Sequence, residues 1–196
     1  MIIAIDGPAA SGKSTTAKIL AIKLGFIHLN SGIMYRAITY ILMKRKMIKD
    51  VDNTYENFFK NLNLLFKGKN LDRVIFNNTD ISDKLYSEEV SNNIKFISNN
   101  SIVRKKLINI QRSIIKDKDV VCEGRDIGSV VFPKSEFKFY LNANIEKRVS
   151  RRFDQILNED RSITKEQIKK NLIDRDLNDI SRINSPLIKT DDCIEI

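Results

Sequence analysis

The chain has 196 residues, 42% of them hydrophobic and 30% charged, with 7 Gly, 3 Pro and a formal net charge of +9. This composition excludes collagen-like and Pro/Gly-rich disordered classes, and no apolar run approaches the roughly 18 residues of a membrane-spanning helix. The length fits one domain with room for a small insert, and such a chain buries about 70% of its unfolded surface without disulfide staples.

Ile2–Asp6 reads as a short buried strand, and Gly7–Gly12 as a turn. From Ser14 to Leu24, Ala17, Leu20, Ala21 and Leu24 share one helical face, and Gly25 stops the helix. Phe26–Leu29 is a second strand, and Met34, Ala37, Ile38, Ile41 and Leu42 mark a second helix. Between about Asp50 and Ser87 the texture changes. Phe58, Phe59, Leu62, Leu64 and Phe66 precede Gly68, and Val74–Phe76 precede Asn77-Asn78, which predicts short antiparallel strands. Ser87 before Glu88 and Glu89 predicts an N-cap. Val103, Leu107, Ile110 and Ile114 are helical, Val120–Cys122 and Phe137–Leu141 are strands, and Ile145, Val149, Phe153 and Ile156 mark another helix. Thr164 with Gln167 forms a capping box, Pro186 lies beyond the helix it opens, and Cys193–Ile196 predicts a last strand. Strands alternating with helices imply an α/β fold with a mostly parallel sheet covered on both faces.

The start of the chain meets Asp6 without a basic region and is unlike a secretory signal. Cys122 and Cys193 are too few for a disulfide framework and are read as free thiols in a reducing cytoplasm. The positive charge allows a polyanionic partner such as nucleic acid, but the basic residues are dispersed.

Gly7-x-x-x-x-Gly12-Lys13-Ser14 matches the phosphate-loop pattern in full, between a strand and an amphipathic helix. Glycines let the backbone wrap a phosphate, and the helix start adds its positive dipole end. Lys13 can reach the terminal phosphates and the Ser14 hydroxyl can hold Mg²⁺. The motif indicates a nucleoside triphosphate without naming the reaction. A second anion site is suggested by Asn30-Ser31-Gly32 with Arg36, by Gly124-Arg125-Asp126 after a strand, and by Arg175, Asp179 and Arg182 on one helical face opposite Ile168, Leu172 and Ile173. Arg148, Arg151 and Arg152 lie on the polar side of the helix that begins at Ile145, before the aperiodic stretch 158–162, and suit a lid that closes over transferring phosphates. Taken singly, each of these has an ordinary alternative, a solvated helix face or an ion-paired turn.

Together, Ile5–Thr15, Leu29–Ala37, Glu123–Pro133 and Arg175–Asp179 resemble the bacterial cytidylate kinase family, in order and interval, over essentially the whole chain. The resemblance implies a P-loop nucleoside monophosphate kinase fold with a central five-stranded parallel sheet. Residues 1–49 and 101–196 would form the core, 50–100 an insert on the CMP side, and about 155–165 a short lid. It implies direct, in-line transfer of the ATP γ-phosphoryl group to CMP or dCMP with Mg²⁺. Gly7, Pro8, Ala9, Ala10, Ser11, Gly12, Lys13, Ser14 and Thr15 would bind ATP, with Ser14 on the metal. Ser31, Arg104, Asp126 and Arg182 would surround cytosine, Arg36, Arg125 and Arg175 would hold the CMP phosphate, and Asp179 the ribose hydroxyls. Lys13, Arg125, Asp126 and Arg152 would carry the catalysis. A cytoplasmic monomer acting on free nucleotides, with no nucleic-acid or membrane partner, is expected. The alternatives are a kinase for another small acceptor, such as UMP or AMP, and an ATP-dependent nucleic-acid-binding protein.

Cytosine fits this set, because its amine needs acceptors (Ser31, Asp126) and its N3 and O2 need donors (Arg104, Arg182). Two features depart from the family pattern. Asn30 replaces the usual Asp and loses any charge role there, and the chain ends at Ile196 where relatives continue to a further helix, which is expected either to be a trimmed version or to expose apolar surface on the sheet. His28, the single histidine, lies in a strand and is expected to be structural.

Overall fold

Strand β1 (Ile2–Asp6) is apolar on both sides because it runs through the middle of the molecule. The computed structural model describes residues 1–49, 52–68, 70–156 and 163–196. β1 pairs in parallel with β6 (Val120–Glu123) on one side and β7 (Phe137–Tyr140) on the other. β2 (Ile27–Asn30) continues the sheet beyond β6, and β8 (Ile194–Glu195) beyond β7, giving the order β2-β6-β1-β7-β8. Side chains alternate across it. Ile3, Ile5 and Val121 pack with Ala17 and Ala21 of α1 (Lys13–Leu24) on one face. Ala4, Val120 and Cys122 pack on the other with Met34 and Ile38 of α2 (Ser31–Lys44) and Leu107 of α5 (Ser101–Ile114). Leu24, at the end of α1, stays exposed, as do Ile194 and Ile196 along the edge strand.

The segment after α2 differs from its expected form at its start. Phe58 and Phe59 lie on a helix, α3 (Asp52–Lys60), because Tyr55 and Phe58 are three apart and both turn inward. The strands begin later: β3 (Leu64–Lys67), β4 (Arg73–Phe76) and β5 (Thr79–Asp80) form a three-stranded antiparallel sheet. Asn77 and Asn78 both have left-handed φ, 46° and 65°, as a two-residue hairpin with the right-handed strand twist requires. Tyr55, Phe58, Val74 and Leu85 join the same apolar cluster as Met34, Ile38 and Leu107, so this segment extends the main core. Ser87 caps α4 (Glu88–Ser98) through Val90 N–H, and Asn100 caps α5 through Val103 N–H.

After β6 the chain makes a π-helical turn, Ile127–Val131. Asp6, the last residue of β1, accepts hydrogen bonds from Ile127 N–H (2.9 Å) and Gly128 N–H (2.8 Å) and anchors that turn. The C-terminal half adds α6 (Ile145–Ile156) and α7 (Lys165–Ser181), the latter opened by the predicted Thr164/Gln167 capping box. Ile168 and Leu172 of α7 are buried, whereas Ile173 is exposed. Among the described residues no helix is long and apolar enough to cross a membrane.

Burial pushes the Asp6 carboxyl up to about 6 despite its two N–H donors. Because this lies above the ordinary 3.8, the folded state binds the proton more tightly than the unfolded state. The Asp6 contribution to stability is therefore highest in acid and falls as the pH rises through about 6, by about 3 kcal/mol in total. Urea unfolding of the wild type and Asp6→Asn at about pH 4 and pH 7 should show their stability difference shifting against the wild type by most of that amount. A difference independent of pH would contradict the assignment.

Candidate active site

Three strand ends lie side by side in the order β2, β6, β1, and each releases one of the sequence motifs into the same space. Ligands in open α/β sheets bind beyond such carboxyl ends. The resulting cleft, of about 1610 Å³, is lined by the phosphate loop, by the start of α2, by the end of β6 and the residues that follow it, and by α4, α6 and α7.

The phosphate loop leaves β1 at Gly7, where φ is +147° and a Cβ would stand 2.1 Å from the Leu141 carbonyl oxygen. Only glycine lets the loop pass β7 this closely. Gly12, also left-handed, caps α1, whose first N–H groups open toward the loop. Lys13 is buried, and its Nζ donates to the Pro8 carbonyl and to Ser11 Oγ. Burial, with the charge of Arg125 next, pushes its ammonium well below the ordinary lysine range. Ser14 Oγ donates to Glu123 Oε2 at 2.7 Å, and Thr15 lines the cleft beside it. Glu123 is almost fully buried, and its other oxygen lies 3.2 Å from His28 Nε2. His28 is thus buried and tied to the site floor. Glu123 stands within a sequence motif that gives it no role by itself. Its signal was a carboxylate closing the otherwise apolar strand VVCE. A hydroxyl and a carboxylate placed together beside a phosphate loop suit a hard, oxygen-seeking cation.

On the other side of the cleft, Asn30 Oδ1 accepts from Ile33 N–H at 3.3 Å. The amide therefore caps α2, a role that needs an acceptor and no charge. Ser31 Oγ donates to the Glu123 carbonyl at 2.8 Å, which leaves its lone pairs for a ligand. Arg104 donates to the Ser98 carbonyl and pairs with Asp126, both deeply buried, and its guanidinium lies over the Tyr35 ring. Arg182 follows the last residue of α7 and is not helical, so its face-sharing with Arg175 and Asp179 is not a helix repeat. Its Nη1 nevertheless reaches Asp179 Oδ1 (3.2 Å) and its Nη2 the Ser185 carbonyl (2.9 Å). Arg104 Nε and Arg182 Nε are buried without an acceptor among the described residues.

Asp179 also accepts from Arg125 Nε at 2.8 Å. Burial pushes its carboxyl up, but Arg125, Arg182 and Arg175 outweigh this and hold it below the usual range. Arg36 donates to the Leu85 carbonyl (2.9 Å) and Ser91 Oγ (3.0 Å), with its guanidinium 5.2 Å from the Tyr86 ring centre. Arg175 has no such partner among the described residues. Burial, together with the charges of Arg125 and Arg36, pushes it down to about 9.

The three arginines of α6 separate. Arg148 is buried and turned inward, donating to the Ala9 carbonyl and pairing with Asp176, so it is not one of a solvent-facing set. Its helix packs against both the loop and α7, which takes Arg148 out of the polar side. Arg151 Nη1 donates to the Ser11 carbonyl at 2.9 Å. Arg152 lines the cleft, with one long contact to Gln155 (3.3 Å). The expected lid falls mostly on 157–162, which lie outside the described residues.

Residues 3–196 match the family described as cytidylate kinase, and the chain belongs to that kinase family. It is 40% identical to the cytidylate kinase of Fusobacterium nucleatum over 196 residues, covering 100% of this chain and 88% of that protein. It is 41% identical to that of Thermotoga maritima over 195 residues, covering 99% and 87%. Among solved structures, shikimate kinase from Acinetobacter baumannii overlaps 88% of this chain and 72% of its own, with 15% identity and a TM-score of 0.40.

Proposed function

We propose that the protein transfers the γ-phosphoryl group of ATP directly, in line, to the phosphate of CMP or dCMP. The observation that carries this reading is the meeting, in one cleft, of a complete phosphate loop and an arginine-lined pocket floored by the Arg104–Asp126 pair. The segment 50–100 supplies part of the acceptor side through Leu85 and Ser91, and residues 1–49 and 101–196 supply the rest. We take the enzyme to act as a cytoplasmic monomer on free nucleotides.

The loop from Gly7 to Thr15 holds the donor phosphates through backbone N–H groups, and Lys13 exchanges its Pro8 carbonyl for a phosphate oxygen. Ser14 and Glu123 would hold a divalent cation such as Mg²⁺, which when bound would offset the charge of the triphosphate. Arg36, Arg125 and Arg175 repel one another in the absence of an anion, and a phosphate group among them relieves that repulsion. Asp179, already oriented by Arg125 and Arg182, retains acceptor capacity for the ribose hydroxyls. Arg152, lightly held, is available to the charge that develops on the transferring group.

At the base end, Ser31 and Asp126 offer acceptors to the cytosine amine, and Arg104 and Arg182 offer donors to N3 and O2. Uracil reverses the pattern at N3 and O4 and would leave buried groups unpaired. Such sites discriminate by orders of magnitude.

With ATP and Mg²⁺ in an ADP-release assay, CMP and dCMP should exceed UMP, AMP and dTMP in kcat/KM by about 10² or more. Comparable turnover of CMP and UMP would sink the base assignment. Lys13→Ala should lower kcat by about 10²–10³ while thermal melting stays near that of the wild type. A variant that kept most of its kcat would remove Lys13 from the chemistry. Glu123→Gln should raise the Mg²⁺ concentration needed for half-maximal activity by about tenfold. An unchanged Mg²⁺ requirement would assign Glu123 to the architecture of β6 alone.

A further inference from the structure

One buried ion pair, Arg148 with Asp176, lies outside the groups assigned above to nucleotide and ties the phosphate loop to the two C-terminal helices. Ala9 N–H donates to Asp176 Oδ1 at 3.0 Å, and Arg148 Nη1 donates to the Ala9 carbonyl at 3.1 Å. The same Arg148 Nη1 pairs with Asp176 Oδ2. Both backbone polar groups of Ala9 are therefore held by the two members of one ion pair that spans α6 and α7. The Ala9 side chain is buried with Val149, Ile168 and Leu172 of those helices. One turn along α6, Arg151 takes the Ser11 carbonyl. Between these two grips lies Ala10, with φ +57°, a left-handed conformation that is unfavourable for a residue with a Cβ. Strain of this kind persists only where the surroundings over-determine it.

We propose that Arg148 and Asp176 are positioning residues for the donor site: they clamp the Ala9 peptide and so hold the phosphate loop, with Ala10 left-handed, in its anion-binding shape. This rests on the reading of the loop as the ATP site. A buried ion pair is weak evidence for stability, since apolar residues of similar volume often replace one without loss. Its effect is expected in ATP affinity, with little effect on the acceptor. Arg148→Met alone would strand a buried carboxylate and could unfold the protein, so the informative variant is the double Arg148→Met/Asp176→Leu in the full chain.

Three quantities decide the matter: the melting temperature, the exchange rate of the Ala9 amide, and KM for ATP and CMP separately. The double variant should melt within a few degrees of the wild type, while its Ala9 amide exchanges about tenfold faster or more. KM for ATP should rise about tenfold, with KM for CMP changing less than about twofold and kcat less than about threefold. Asp176→Asn keeps an acceptor for Ala9 N–H but loses the charge opposite Arg148, and it should fall between the two. A folded double variant with wild-type KM for ATP, or with equal rises in both KM values, would overturn the clamp. Wild-type protein that turns over ATP with no monophosphate would instead overturn the reading of function. Unchanged Ala9 exchange in the double variant would overturn the clamp independently of activity.

Discussion

The structure depends on how it neutralises its own arginines. Arg36, Arg104, Arg125, Arg151, Arg152, Arg175 and Arg182 all line one cleft, with Lys13 buried at its edge. Such a concentration of like charge in a partly desolvated space is costly. Three aspartates limit the cost in different places. Asp126 pairs Arg104, Asp179 bridges Arg125 and Arg182, and Asp176 takes Arg148 just behind the cleft. Arg175 lines the same cleft with neither an ion-pair nor a hydrogen-bond partner among the described residues.

The sheet order explains why these groups meet. Placing β6 between β1 and β2 brings Asp6-Gly7, Glu123-Gly124 and Asn30-Ser31 onto adjacent strand ends. The contacts across that row are then short. Ser31 reaches the Glu123 carbonyl, Ser14 reaches the Glu123 carboxylate, and a Cβ on Gly124 would stand 2.5 Å from Ser31 Oγ. Glu123 thus joins the start of α1 to the start of α2, through its carboxylate and its carbonyl.

Much of this was legible from local pattern. The phosphate loop, the parallel α/β order, the Thr164 cap and the hairpin at Asn77-Asn78 all follow from residues that are neighbours in the chain. What was not legible depends on partners far away. Arg148 reads as a solvent-facing residue beside Arg151 and Arg152, and only the packing of α6 against Ala9 and α7 turns it inward. Phe58 and Phe59 sit in an apolar run that gives no period by itself, and the helix is decided by Tyr55 three residues earlier. Asn30 reads as a loss when judged by charge, yet the fold uses only its oxygen.

The distribution of charge in the cleft is a compromise. Burial raises the Asp6 carboxyl and lowers the Lys13 ammonium, and burial together with the charges of Arg125 and Arg36 lowers Arg175. Rearranging these groups into a quieter core would be simple in physical terms, since apolar replacements often cost nothing. The arrangement gains its value when anions enter. Under the proposed function, each phosphate would offset repulsion among groups that the fold already holds together. On the proposed reading, anion binding stabilises the folded chain, because the unfolded chain does not gather these groups.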